Sequence, residues 1–156
     1  MRLGAQEPPG IVEVPGTTIR MHSDKQGSWQ TLESHGAINT YHVDYVIGSG
    51  THASGYIVQL GDHLFQSPVA YYRSREAFDL APGYAGKPDP DFTRPIAQGC
   101  VFCHAGSFDA VAGTVNEYGK TPFTHLPIGC DRCHGDTARC APCEPQLPEH
   151  RQSRPS

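Results

Sequence analysis

Hydrophobic and polar residues alternate with period two along several stretches of the N-terminal half, the pattern of half-buried β-strands. From Thr17 to Asp24, Ile19 and Met21 fall on one side and Arg20 and His22 on the other. Lys25-Gln26-Gly27 follows, and the polar run Ser28 to Ser34 completes a predicted exposed β-hairpin. Tyr41 to Ile47 alternates again until Gly48-Ser49-Gly50 breaks it. Tyr56 to Leu60 and Leu64 to Ser67 flank Gly61-Asp62, which predicts a second hairpin with a tight turn whose first position suits Gly. A short helix is predicted around Ser74 to Leu80, stopped by Pro82-Gly83. Residues 1–16 form a lead without periodicity and read as irregular, and Gly83 to Gly99 is a long connection carrying Pro88, Pro90 and Pro95. From Gly135 onward the chain holds four prolines and Leu147 as its one large aliphatic side chain, so residues 136–156 are expected to be disordered.

Composition narrows this picture. The 156 residues include 17 Gly and 14 Pro, and the longest run free of both is the 13 residues from Val69 to Ala81. That excludes a helical bundle, a coiled coil and a membrane-spanning helix, which needs ~20 consecutive apolar residues. Ile, Leu, Val and Phe supply only 29 of 156 positions, yet the net charge is just -4 and there are 14 aromatic residues, which favours a folded domain with a thin core. Such a domain leans on disulfides, a metal or a large cofactor. A slightly acidic chain with no Lys/Arg cluster argues against nucleic acid or an anionic membrane surface as the main partner.

All six Cys fall into Cys-x-x-Cys pairs: Cys100/Cys103, Cys130/Cys133 and Cys140/Cys143. Two pairs are followed at once by His, as Cys100-Val101-Phe102-Cys103-His104 and Cys130-Asp131-Arg132-Cys133-His134, the c-type haem attachment pattern. Two thiols add to the two vinyl groups on the porphyrin, a short helical turn matches their separation, and the next His is carried under the iron as proximal ligand. Two covalent haems c are therefore expected, with Cys100, Cys103, His104, Cys130, Cys133 and His134 binding them. Such a macrocycle also supplies the apolar surface that the aliphatic residues lack. The competing reading is a structural zinc site of Cys100, Cys103, Cys130 and Cys133, although a zinc ribbon has no use for His after both pairs. Cys140/Cys143 is followed by Glu144 and is not counted as a third site.

These motifs stand among phrases that resemble the multihaem c-type cytochromes related to the tetrahaem electron carrier of nitrifying bacteria. The closest likeness is to modules that in longer bacterial proteins sit ahead of tetratricopeptide repeats. The resemblance runs from about Tyr45 to Gly135 and includes Tyr45-Val46-Ile47-Gly48-Ser49-Gly50-Thr51-His52, Leu64-Phe65-Gln66-Ser67-Pro68, Leu80-Ala81-Pro82-Gly83-Tyr84, Gly113-Thr114-Val115-Asn116, and Ile128-Gly129-Cys130 through Gly135. It implies a periplasmic or otherwise extracytoplasmic electron carrier. Such proteins usually begin with a signal peptide and a further haem motif, neither of which is present here, so the chain is expected to be an interior piece of a longer protein or a gene model cut at both ends. An additional haem domain or tetratricopeptide repeats are then expected in the full-length protein.

The expected fold class is accordingly a small, loop-rich multihaem cytochrome c: β-hairpins in the N-terminal half, short helices around the two haem motifs, and little regular secondary structure. Its expected organisation is an irregular lead over 1–16, a dihaem domain over 17–135, β-rich at 17–68 and haem-binding at 84–135, and a disordered tail over 136–156. Electron transfer with basic redox partner proteins, through a small and transient interface, is the leading function. A multihaem reductase or peroxidase with one open iron is the alternative, with Tyr71, Tyr72 and Arg73 as candidate proton donors.

For the sixth iron ligands, Met1 and Met21 are poorly placed, which leaves bis-His ligation and low potentials. His22 and His63 read as surface residues, His35 and His42 flank a Gly-containing connection, and His150 lies in the tail. His52 follows Gly48-Ser49-Gly50, where the backbone can approach a flat macrocycle, and His125 is held between Pro122 and Pro127. The resemblance also places His at both positions, so His52 and His125 join His104 and His134 as expected iron ligands. The alternatives are that either His hydrogen-bonds near a propionate, and that His52 serves an upstream haem.

Overall fold

The computed structural model describes residues 1–3 and 7–129. In chain order the elements are β1 (Arg2–Leu3), β2 (Gly10–Val14), β3 (Thr17–Asp24), β4 (Gly27–Ser34), β5 (Ala37–His42), β6 (Tyr45–Ile47), β7 (Ala53–Leu60), β8 (His63–Tyr72), β9 (Ala77–Leu80), α1 (Gln98–His104), β10 (Ser107–Ala110) and β11 (Tyr118–His125). The strands form a four-stranded meander β2-β3-β4-β5, a five-stranded sheet β1-β6-β7-β8-β9 and a two-stranded ribbon β10-β11. Every pairing among them is antiparallel.

This corrects the expected fold class. The chain is not loop-rich with little regular secondary structure and several short helices; it is mostly antiparallel β-sheet, with one helix among the described residues. The Gly and Pro content that read as loop is instead spent on tight turns between paired strands. Pro15-Gly16 joins β2 to β3, His35-Gly36 joins β4 to β5, and Gly61-Asp62 joins β7 to β8. Gly61 adopts φ +62°, a left-handed turn conformation for which a Cβ carries a penalty, as the hairpin reading required. His35 also takes a left-handed φ, +51°, which makes it a turn residue with its ring paired to Asp89 at 2.8 Å.

Two local expectations fail for the same reason, that non-local pairing overrides local preference. The lead ahead of Thr17 contributes β1 and β2, with Val12 opposite Ile19. The helix expected around Ser74 to Leu80 is a turn followed by β9, in which Phe78 lies opposite Tyr71 and their rings meet edge to face at 5.0 Å. Aromatic pairing across strands stabilises that arrangement.

Two cores lie on either side of the five-stranded sheet, an upper one against the four-stranded meander and a lower one against α1 and the β10-β11 ribbon. Alternation on β3 and β4 buries Ile19, Met21 and Leu32 against Val46, Tyr56, Val58, Val69 and Tyr71 of the five-stranded sheet. On the opposite face, Ile57 and Leu64 pack with Ile96, Val101, Ala105, Tyr118 and Phe123, so α1 and the β10-β11 ribbon form a third layer. Buried polar groups are partnered across these layers: Ser67 Oγ donates to Gln30 Oε1 at 2.6 Å, and Asn116 Oδ1 accepts the Leu64 N–H at 3.1 Å. None of the helices among the described residues is long and apolar enough to cross a membrane.

Candidate functional site

The first Cys-x-x-Cys-His motif occupies the last five of the seven residues of α1. The helix starts after Ala97 without a side-chain cap and ends where the Ala105 N–H reaches Val101 O at 2.8 Å. So short a helix is marginal alone, and tertiary contacts hold it. Val101 is buried in the lower core, and Gln98 Nε2 donates to Thr114 O at 3.1 Å, fastening the first turn of α1 to the 111–114 turn. Fixing Val101 inward leaves Cys100, Phe102, Cys103 and His104 on exposed faces. Cys100 and His104, four apart, share one face.

That face opens on a pocket of about 320 Å³ lined by Cys100, His104, Ile96, Ile47, Ala53, Gly55, Tyr56, Gln66, Ala70, Tyr72, Ala81 and Pro82. Its size is at the low end of the ~300–1,000 Å³ typical of small-molecule sites. The floor is unusual for a sheet. Gly55 on β7 and Ala70 on β8 are directly opposed, and Ala53 is opposed to Tyr72. Directly opposed residues present their side chains on the same face, so at Ala53, Gly55 and Ala70 this surface carries nothing beyond a methyl group, with the Tyr72 ring beside them. Between Gly55↔Ala70 and Ile57↔Gln66 the register shifts, because β8 has two more residues than β7 over that interval. Such a bulge bends the strand and supplies concavity.

Two tyrosine hydroxyls around the pocket are committed to backbone carbonyls. Tyr72 Oη donates to Leu80 O at 2.9 Å, and Tyr84 Oη donates to Gln66 O at 3.1 Å. Burial pushes the Tyr84 phenol up to about 12, with Asp91 adding to the rise and Arg94 opposing it. Tyr118, below α1, donates to Ile96 O at 2.7 Å, and burial together with the neighbouring Cys100 sulfur pushes its phenol up to about 12.

The remaining expected residues are distributed as follows. His52 precedes β7 and lines a more open, polar hollow of about 500 Å³ with Thr51, Ala53, Tyr72, Arg73 and Ser74; Ala53 and Tyr72 belong to both hollows. The His52 carbonyl accepts the Arg73 N–H at 2.9 Å. His125 ends β11, pairs with Ser107, and its carbonyl accepts the Gly106 N–H at 3.0 Å; it does not line the Cys100 pocket. A Cβ at Gly106 would collide with Pro127 O, so glycine lets the chain after His104 pass close under this segment. Cys130, Cys133, His134, Cys140, Cys143 and His150 lie outside the described residues.

The other histidines are engaged elsewhere or exposed. His42 Nδ1 meets Asp44 Oδ1 at 2.8 Å, with its ring edge-on to Trp29, and His22 and His63 are exposed. Met1 packs against the lower core and Met21 is buried in the upper one. Of the candidate proton donors, Tyr71 is buried between the sheets and Arg73 pairs with Glu7 Oε1 at 3.3 Å, while Tyr72 alone lines the pocket. Among the described residues, no group of three or more His, Cys, Asp or Glu side chains converges on a metal position.

Sequence reasoning did not identify the floor, Ala53, Gly55, Ala70 and Ala81. The available signal was the small residue at alternate positions 53 and 55 in a strand, where packed sheets favour large β-branched side chains. A scan of protein-family models and searches of curated proteins and of solved structures returned no match.

Proposed function

We propose that this chain is an electron-transferring, extracytoplasmic multihaem c-type cytochrome. One haem is held by Cys100 and Cys103 with His104 as proximal ligand, and a second by Cys130, Cys133 and His134. The observation that carries the reading is the juxtaposition of a Cys-x-x-Cys-His helix with an apolar pocket whose floor is Gly55, Ala53, Ala70 and Ala81. The donor set fits the group: two exposed thiols at i and i+3 for thioether attachment, and one imidazole for the iron. A floor without bulky side chains fits a flat macrocycle. A zinc ribbon would need four converging thiolates and no apolar hollow beside them.

Bound haem supplies one-electron chemistry at iron. The chain's own contribution is to orient the His104 ring through α1, to keep water from one face with the sheet floor, and to set the local charge. His52, at the rim through its neighbour Ala53, and His125 are the proposed sixth ligands. Haem propionates would make the surface more acidic, so basic redox proteins are the proposed partners. The kinship with modules preceding tetratricopeptide repeats is proposed on the sequence phrases alone. The reductase or peroxidase reading has less support, since Tyr71 faces the upper core and Arg73 is paired with a carboxylate.

The test is the mass of protein matured with an export signal and then denatured. Two haems retained, one of them lost in Cys100→Ala/Cys103→Ala, is the expected result. A colourless protein containing zinc overturns the proposal.

A further inference from the structure

The Cys100 pocket has an apolar lining, with Gln66, Cys100 and His104 among its few polar members, while a haem also carries two carboxylates that need donors at its rim. Arg94 stands there. Its backbone carbonyl accepts the N–H of Gln66 at 2.9 Å, and its Nη1 donates to Pro82 O at 2.9 Å; Gln66 and Pro82 both line the pocket. The guanidinium lies 5.9 Å from the Tyr84 ring centre and packs so close to Gly83 that a Cβ there would collide with Nη1. Gly83 has φ +89°, which favours glycine, and a side chain there would displace the Arg94 guanidinium from its place.

Arg73 and Arg75 are neutralised by Glu7 and Asp79, but among the described residues no carboxylate lies within ion-pair distance of Arg94. Among the described residues, the Pro82 carbonyl engages one of its five N–H donors and no other acceptor meets the guanidinium. A guanidinium already held by one hydrogen bond offers a planar fork that matches a carboxylate.

We infer that Arg94 is a carboxylate-binding residue at the rim of the Cys100 pocket, positioned by Pro82 and Gly83, and that it takes a propionate of the haem held on α1. This inference rests on the haem reading. It deepens that reading by naming the residue that orients the macrocycle within the pocket and raises its potential. A fixed positive charge near the iron disfavours the ferric state, so Arg94 favours the reduced form.

The test uses holoprotein carrying haem labelled with ¹³C at the propionate carboxylates, in wild type, Arg94→Gln, Arg94→Lys and Gly83→Ala. Redox-induced infrared difference spectra report the labelled carboxylates alone, which separates a propionate from any free carboxylate in the buffer. The expected result is a shifted propionate band in Arg94→Gln and Gly83→Ala, a smaller shift in Arg94→Lys, and a lower midpoint potential in Arg94→Gln. Unchanged labelled bands in the Gln and Lys variants, with haem still attached at Cys100 and Cys103, overturn the inference and leave the haem reading standing. Wild-type protein without haem on those cysteines overturns both.

Discussion

Gly55 on β7 and Ala70 on β8 stand directly opposite each other, and both line the pocket that Cys100 and His104 enter from α1. No heavy atom lies within 4 Å of the point where a Cβ at Gly55 would sit. Glycine inside a strand costs ~0.5–1 kcal/mol relative to Ala, so the protein tolerates that cost where a side chain would do no harm to its own packing. The open floor therefore serves something other than folding.

Gly55→Leu should separate the two roles. The side chain projects into the pocket, so fold and thermal midpoint of the unloaded protein should be retained, while covalent haem at Cys100/Cys103 falls several-fold. Absorbance of the matured protein, normalised to polypeptide mass, is the measurement. Full haem occupancy in this variant would mean that the macrocycle lies elsewhere.

The expected sixth ligands are checked by His52→Ala and His125→Ala. Each should convert one of two low-spin haems to a high-spin form that binds carbon monoxide when reduced. His52 adjoins the Cys100 pocket through Ala53, whereas the His125 carbonyl is bonded to Gly106 in the segment that follows His104. Unchanged spectra in both variants would defeat the assignment.

The β-hairpins were legible because Thr17 to Asp24 carries its own alternation and because Tyr56 to Leu60 and Leu64 to Ser67 flank a Gly-containing turn. β9 was not legible: Ala77 to Leu80 becomes a strand only because β8 offers Tyr71 and Tyr72 as pairing partners. The attachment motif was legible because Cys and His at fixed spacing name their own chemistry. The pocket was not, since its lining comes from β6, β7, β8, the Ala81-Pro82 turn and α1, and only the register brings Gly55 to Ala70. Arg94 escaped notice because a lone arginine in a proline-rich connection has no periodicity, and its meaning lies in the Pro82 carbonyl it grips.

Val101 is the anchor of the motif helix, 1% exposed between Cys100 and Phe102. Val101→Ala removes two buried methyl groups, which should cost about 1.5–3 kcal/mol. Urea unfolding of the unloaded protein should show the loss as a lower midpoint with an unchanged slope. A change below about 0.5 kcal/mol would mean that α1 is not held by the lower core.

Alkaline pH should destabilise the fold through Tyr84 and Tyr118. Both phenols titrate at about 12 in the folded protein, against an ordinary value of 10.0, chiefly because burial disfavours the phenolate. Between those values the unfolded chain has released protons that the native protein still holds, so stability falls as pH rises from 10 towards 12 and is flat below that window. Tyr118→Phe should flatten part of this slope while costing about 1 kcal/mol at neutral pH, since Ile96 O loses the donor it holds at 2.7 Å. Chemical unfolding of wild type and variant across that range measures both effects. An identical pH dependence in the two proteins would show that the Tyr118 phenol does not keep its proton under α1.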